Sequence, residues 1–428
     1  MRFIFILSTM LITCSAYSHT FEQDTINNSP QQYPGLGKAA SGIFFSDKPW
    51  SLSGFGEING VSTPGFTPDK EALDDIELYY NQLYRLAVFF GYRFSDKLII
   101  NSELQVEHLS AGNDSHTELV FELFMDYRLH QALNLRLGFF PLGIGYINSN
   151  DEPILFYSVN RPETERLILP STWIELGAAA YGQITPQLSY FTSLVTALDA
   201  QHFKSATWVR NGREAFDLNS LAWVGQLNYS TSGGLDLNLS GYYGSNGAYN
   251  YTAEQQSKEL NAKLTLVSAY ARYTKNNFRL LASGTYGWLT DTEGIYHLTA
   301  NSDQTNNIHG QVLGKEVYGI YGEAGVDILP WIWKNRKEVK NTVIDTHEMK
   351  WSFFARYEHL NTHASVESSL SHLPRVQNYM NILALGTNIN LTEDIVIKAN
   401  YQFRKNLTPD EFAIPTGNYF EFGLGFNF

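Results

Sequence analysis

Residues 84–94 read YRLAVFFGYRF. Taken two at a time, Tyr84, Leu86, Val88, Phe90, Tyr92 and Phe94 fall on one side of an extended chain. Arg85, Gly91 and Arg93 fall on the other. A period of two is the signature of a strand with one apolar and one polar face. After Ser95-Asp96 the pattern resumes, with Leu98, Ile100, Leu104 and Val106 against Asn101, Glu103, Gln105 and Glu107. It continues with Leu119, Phe121, Leu123, Met125, Tyr127 and Leu129 against Glu118, Glu122, Asp126 and Arg128. Then Leu133, Leu135, Leu137 and Phe139 alternate with Asn134, Arg136 and Gly138.

Similar windows lie near 173–184, 187–198, 221–230, 234–243, 262–273, 278–288, 316–328, 350–360, 381–391, 395–404 and 417–428. With an opening strand near 51–59 the total is about 16, mostly about 9–12 residues long, the length of a tilted strand that crosses a bilayer. Short turns at 95–96, 130–132, 185–186, 231–233, 275–277 and 392–394 alternate with longer loops near 60–83, 109–117, 141–172, 199–220, 244–261, 289–315, 361–380 and 405–416. Only 329–349 is long where a short turn belongs. Such alternation marks an all-β transmembrane antiparallel barrel in the outer membrane.

A water-soluble β-sandwich would alternate too, but its outer face would carry Lys and Glu. Here the polar face is rich in Gly, Asn, Ser and opposite charges. Aromatic residues mark strand ends: Trp50, Tyr92, Phe94, Tyr127, Phe139, Phe140, Trp173, Tyr190, Tyr229, Tyr243, Tyr286, Trp288, Trp351, Tyr357 and Tyr401. They fit two interfacial girdles. The final stretch, GNYFEFGLGFNF, sets Phe420, Phe422, Leu424, Phe426 and Phe428 on one side. This row is expected to face lipid while the last strand pairs with the first, since an open edge in hydrocarbon leaves backbone groups unpaired.

Composition agrees. The 428 residues are 14% aromatic and only 17% charged, and the net charge of −13 argues against a nucleic-acid partner. Residues 1–18 read as a signal peptide: Arg2, an apolar core from Phe3 to Cys14, and Ala16 and Ser18 before a cut. The mature chain then has no cysteine, and neither a cofactor nor a metal site is expected. Residues 19–49 read as a flexible segment, and 50–428 as the barrel.

A barrel of this size encloses water, so function lies in what narrows it. The third loop, Pro141 to Thr172, is the longest and is apolar for an exposed loop, with Ile144, Ile147, Leu155, Phe156, Val159, Leu167 and Ile168. It is expected to fold into the lumen. It carries Arg161 and Arg166 beside Glu163 and Glu165. Together with the inward wall residues Glu122, Asp126, Arg128 and Arg136, these are the candidate residues of the constriction and solute path. Arg85, Arg93, Arg279, Arg356, Lys398 and Arg404 are further inward basic positions, facing Glu103, Glu107, Glu118 and Glu358.

LRLGFFPLGIGY and NRPETERLILPSTWIELG, within Leu135–Gly177, resemble the phosphate-selective porin O/P family. The resemblance implies a 16-stranded barrel in the bacterial outer membrane, a homotrimer, and passive diffusion of small hydrophilic solutes, including anions such as phosphate. It also implies that Phe428 serves as the aromatic end recognised by the barrel-insertion machinery. That family lines its eyelet with an arginine ladder and a lysine cluster. Here acidic and basic residues are mixed, and the third loop has no lysine.

The alternatives are a lipase-like barrel enzyme, for which His108 with Ser110 or Ser115 with His116 would have to serve, and a surface adhesin or receptor resting on the loops. No nucleophile elbow occurs. His359 and His363 stand four apart at a strand end and lack the metalloprotease spacing.

Overall fold

The computed structural model describes residues 33–62, 75–210, 212, 220–246, 260–300, 310–333, 348–409 and 417–428. Its strands are β1 (Trp50–Ser62), β2 (Gln82–Arg93), β3 (Leu98–Ala111), β4 (Asp114–His130), β5 (Leu133–Pro141), β6 (Ile174–Gln183), β7 (Leu188–Thr196) and β8 (Leu221–Ser230). They continue as β9 (Leu235–Ser245), β10 (Lys263–Lys275), β11 (Phe278–Leu289), β12 (Glu316–Asp327), β13 (Lys350–Ser365), β14 (Tyr379–Asn390), β15 (Ile395–Asn406) and β16 (Tyr419–Asn427). Each pairs antiparallel with its neighbours in sequence. β1 pairs with β16, so the sheet closes on itself.

The alternation decides which way each side chain points. On β2, Tyr84, Leu86, Phe90 and Tyr92 are exposed on the outside while Arg85, Ala87 and Phe89 are buried inside. The same division runs round the barrel, with Phe121, Leu123, Trp223, Leu239, Ile320 and Phe422 exposed on the outside. Closure leaves no backbone edge, and an apolar band of this extent is covered by lipid.

The seam explains the residues of the last strand. Gly54 and Phe428 exchange backbone hydrogen bonds of 2.9 Å in both directions. On the outer face of β1, a Cβ on Gly56 would stand 2.7 Å from the ring of Phe426, and one on Gly54 would stand 2.5 Å from the ring of Phe428. Both phenylalanines therefore lie across glycines of the first strand, covering backbone that no side chain of β1 covers. On the inner face Gly425 does the same for the third loop: a Cβ there would collide with the ring of Pro153.

Three expectations are corrected. The loop at 109–117 is a two-residue turn: Ala111 pairs with Asp114, and Gly112 takes φ +67°. Glycine there supplies the left-handed backbone that a tight hairpin needs, so β3 and β4 run on past the band. Phe140 and Trp173 are buried inside rather than on a girdle, because the chain turns inward into the third loop at both. The segment read as flexible is packed over 33–45. Leu36, Ala39, Ala40 and Ile43 are buried, and Tyr33 stacks on Phe44 with ring centroids 3.7 Å apart. Its apolar residues have a wall to bury against. The signal peptide, 1–18, and the remainder to 32 lie outside the described residues.

Candidate functional site

The third loop, 142–173, folds into the lumen and is held at many points. It leaves β5, crosses the barrel and meets β11 to β16. Lys398 on β15 donates to the carbonyls of Phe156 (2.9 Å) and Ser158 (3.0 Å). The Val159 amide donates to Asn400, 2.8 Å. On β13, Arg356 bonds the Ser158 hydroxyl, and Glu358 accepts from the Thr164 amide, 2.9 Å. From β11, Arg279 donates to the Tyr146 hydroxyl, 2.5 Å.

A short helix in this loop, Glu163–Ile168, places the expected charged residues. Glu163 sits between Arg166 (2.6 Å) and Arg404 (3.3 Å). Burial alone would push its carboxyl up, but the two guanidinium groups hold it down at about 2. Glu165 accepts from the amides of Tyr146 (3.2 Å) and Ile147 (2.7 Å) and from the Tyr321 hydroxyl (2.7 Å). Its carboxyl is raised by burial, against the pull of those donors. Glu163, Glu165 and Arg166 therefore brace the loop. Arg161 differs: it donates to Thr172 at 3.1 Å, and its carboxylate neighbour Asp151 is 4.0 Å away. Burial, followed by repulsion from Arg85, lowers its guanidinium from the ordinary value.

The wall residues separate into two groups. Glu122 on β4 is buried opposite Glu103 on β3, near Asp151 of the loop. Asp126 and Arg136 form a buried pair at 3.0 Å, with the Tyr181 hydroxyl donating to Asp126 at 2.6 Å. Arg136 lies over the rings of Phe124 (4.5 Å) and Tyr181 (5.0 Å). This pair and Arg128 stand toward the short-turn end, beside the 33–45 segment rather than beside Arg161. Arg136 reaches the Gly35 carbonyl (3.5 Å), and Arg128 acts electrostatically on Tyr33. The expected residues thus fall in two places, on the inward-folded third loop and at a seat for the N-terminal segment.

That seat was not anticipated. Ile43 packs against Gly91, where a Cβ would stand 2.8 Å from its Cγ1. Asn101 donates to the Ala40 carbonyl (2.6 Å), Ser53 to the Ala39 carbonyl (2.7 Å), and Arg93 to the Ile43 carbonyl (2.7 Å). Glu152 joins segment and loop: it accepts from the Ala39 amide at 2.6 Å and from Asn427 of β16. The signal was present in the sequence as Tyr33, Leu36, Ile43 and Phe44. Arg210 was also missed. It pairs with Glu77 and donates to the Arg166 carbonyl, 3.1 Å, bringing loops distant in sequence onto the third loop. Arg161, Arg166 and Arg210 share a cavity there with Glu57, Glu77 and Glu107.

Of the residues of the hydrolase alternative, His108 bonds Thr117 (2.7 Å) and Ser110 donates to Gln82 (3.2 Å), rather than to each other. The two histidines weighed for a metal have different partners: His359 meets Tyr318 and Asn381, while His363 meets the Val312 carbonyl.

A closed antiparallel barrel of sixteen strands, with a loop folded into a charged lumen, is the architecture of porins. By sequence, the chain belongs to the family of an uncharacterised protein of Aquifex aeolicus (strain VF5), with 30% identity over 344 residues, 78% of this chain and 72% of that protein. No family model matches. Among solved structures, Salmonella typhi OmpF in complex with daunomycin is similar with a TM-score of 0.54 and 9% identity, over 89% of this chain and 97% of that one. The outer membrane channel DcaP of Acinetobacter baumannii is similar with a TM-score of 0.51 and 11% identity, over 89% and 97%. These likenesses concern the fold. Nothing in them singles out the phosphate-selective family.

Proposed function

We propose that the protein is a porin of the bacterial outer membrane, a passive channel for small hydrophilic solutes, narrowed where the third loop meets the wall. The observation that carries this reading is the loop itself. It is nailed to the lumen wall through Lys398, Asn400, Arg356 and Glu358. A loop held so firmly inside a barrel sets an aperture. Charges at an aperture act on a passing ion more strongly than charges at an open surface, because the walls exclude bulk water.

Arg161 is the residue of the constriction that meets the solute. Arg166 is neutralised by Glu163 at 2.6 Å and shapes the loop. With carboxylates sharing the cavity, the channel has a mild anion preference; a site built for phosphate would need cations in clear excess of carboxylates, and Arg161 itself stands 4.0 Å from Asp151. The porin-like architecture also favours a homotrimer and insertion through Phe428.

Reversal potentials across a salt gradient test this. Arg161→Ala shifts selectivity toward cations, whereas Arg166→Ala raises current noise and leaves selectivity nearly fixed. Equal shifts from both, or none from either, would refute the division of roles.

A further inference from the structure

The connection from β12 to β13 is long where its counterparts are tight turns, and nothing in the channel reading uses it. Its described part is a single helical turn, Leu329–Ile332, followed by Trp333. Asp327 starts it by accepting from the Leu329 amide (3.0 Å) and also accepts from the Trp351 amide (3.0 Å). The turn is thereby fixed to the base of β13. Leu329 is buried against the barrel. The next apolar residues are not: Trp331, Ile332 and Trp333 are 51%, 59% and 42% exposed.

Three adjacent large apolar side chains left in water would be unfavourable, and single exposed ones elsewhere need no such explanation. Their position says what covers them. The Trp331 ring lies 6.0 Å from that of Phe278, the first residue of β11. Phe278 is on the outer face, in register with exposed Leu280. The helical turn therefore lies against the outside of the rim, continuous with the lipid-facing band, and not beneath the lumen. Trp351 and Phe353, 5.5 Å apart on the same rim of β13, extend the surface. Tryptophan favours the depth where hydrocarbon gives way to headgroups, since its ring is apolar and its N–H is polar.

We propose that Leu329–Trp333 is a membrane foot: a segment lying in the headgroup region of the leaflet on the short-turn side, with Trp331, Ile332 and Trp333 in contact with phospholipid. It fixes the depth and tilt of the barrel on the β11–β13 side. The occupant is lipid, because the patch continues a surface that lipid already covers.

A nitroxide label tests this. The full chain carries Cys14→Ser and one new cysteine, Ile332→Cys, and is reconstituted in phosphatidylethanolamine–phosphatidylglycerol vesicles. Phe422→Cys is the lipid reference and Asp96→Cys the water reference. Heat-modifiable gel mobility confirms that each variant is folded. The label at 332 should collide readily with oxygen and several-fold less with a water-soluble nickel chelate than the label at 96. Nickel access equal to that at 96 would overturn the proposal, as would shielding from both reagents, which a protein contact would give. An unlabelled Trp331→Phe, Trp333→Phe protein supplies a second reading. Its tryptophan emission should lose part of the quenching that headgroup-proximal brominated lipid causes in the parent. An unchanged quenched fraction would overturn the proposal too.

Discussion

Replacing Gly91 by valine should unseat the segment 33–45 from the lumen. Gly91 lies on the inner face of β2, paired on one side with Ser51 and on the other with Asn101. Strands on both sides prevent the wall from retreating. Even the first added carbon would stand 2.8 Å from Cγ1 and 2.9 Å from Cγ2 of Ile43. Carbon atoms pack at about 3.5–4.0 Å, so Ile43 must move by about 1 Å or leave. Overpacking of this kind costs about 1–3 kcal/mol. Burial of the Ile43 side chain, which has no exposed surface, contributes about 1.5–3 kcal/mol. The two are of similar size, so the substitution cancels the anchor and leaves the hydrogen bonds from Ser53, Asn101 and Glu152 to hold the segment. Limited proteolysis in detergent should then cleave within 33–49 faster than in the parent, and single-channel conductance should rise because the segment no longer occupies the lumen. Gly91→Ala should do the same more weakly. Unchanged proteolysis and conductance in Gly91→Val would refute the seat as described.

Other outcomes follow from the same geometry. Phe422→Arg puts a charge on the lipid face and should cost about 2–4 kcal/mol near the midplane and less at an interface, read by urea unfolding in vesicles. Arg136→Met leaves Asp126 buried with the Tyr181 hydroxyl as its partner and should cost about 3–5 kcal/mol in the same assay. Burial raises the Glu152 carboxyl from 4.5 to about 7, against the Ala39 amide, with Asp151 adding to the rise. A raised folded value gives stabilisation that is complete below about 4.5 and is lost as pH climbs through about 7. Proteolytic protection of 33–49 should therefore be greater near about pH 5 than near about pH 8, and Glu152→Gln should flatten that dependence.

The barrel was legible because lipid outside and water inside force every strand to alternate. Windows as short as 133–139 announced themselves, and so did the lipid-facing row at Phe420–Phe428. The glycines opposite that row were visible as letters, but not as the places where Phe426 and Phe428 cross β1, since that depends on pairing between chain ends. The third loop was legible from apolar residues that water would not tolerate. Its partners were not: Lys398, Asn400 and Arg356 lie some 200 residues or more away in sequence. The division between Arg161 and Arg166 turned on Glu163 standing three residues from Arg166 on a helix whose presence in a loop gave little periodic signal. The segment at 33–45 was misread because its Gly and Ala residues suggest flexibility, whereas a concave wall uses small residues to admit a close approach.

Planar-bilayer recording of the purified protein alongside Lys398→Met, which removes the donor to the Phe156 and Ser158 carbonyls, decides whether a water-filled path is limited by the third loop. Discrete ohmic steps that scale with salt concentration are expected, with larger and noisier steps in the Lys398→Met form. A folded, heat-modifiable barrel that gives no steps, or steps of the same size and noise in both forms, would rule that out.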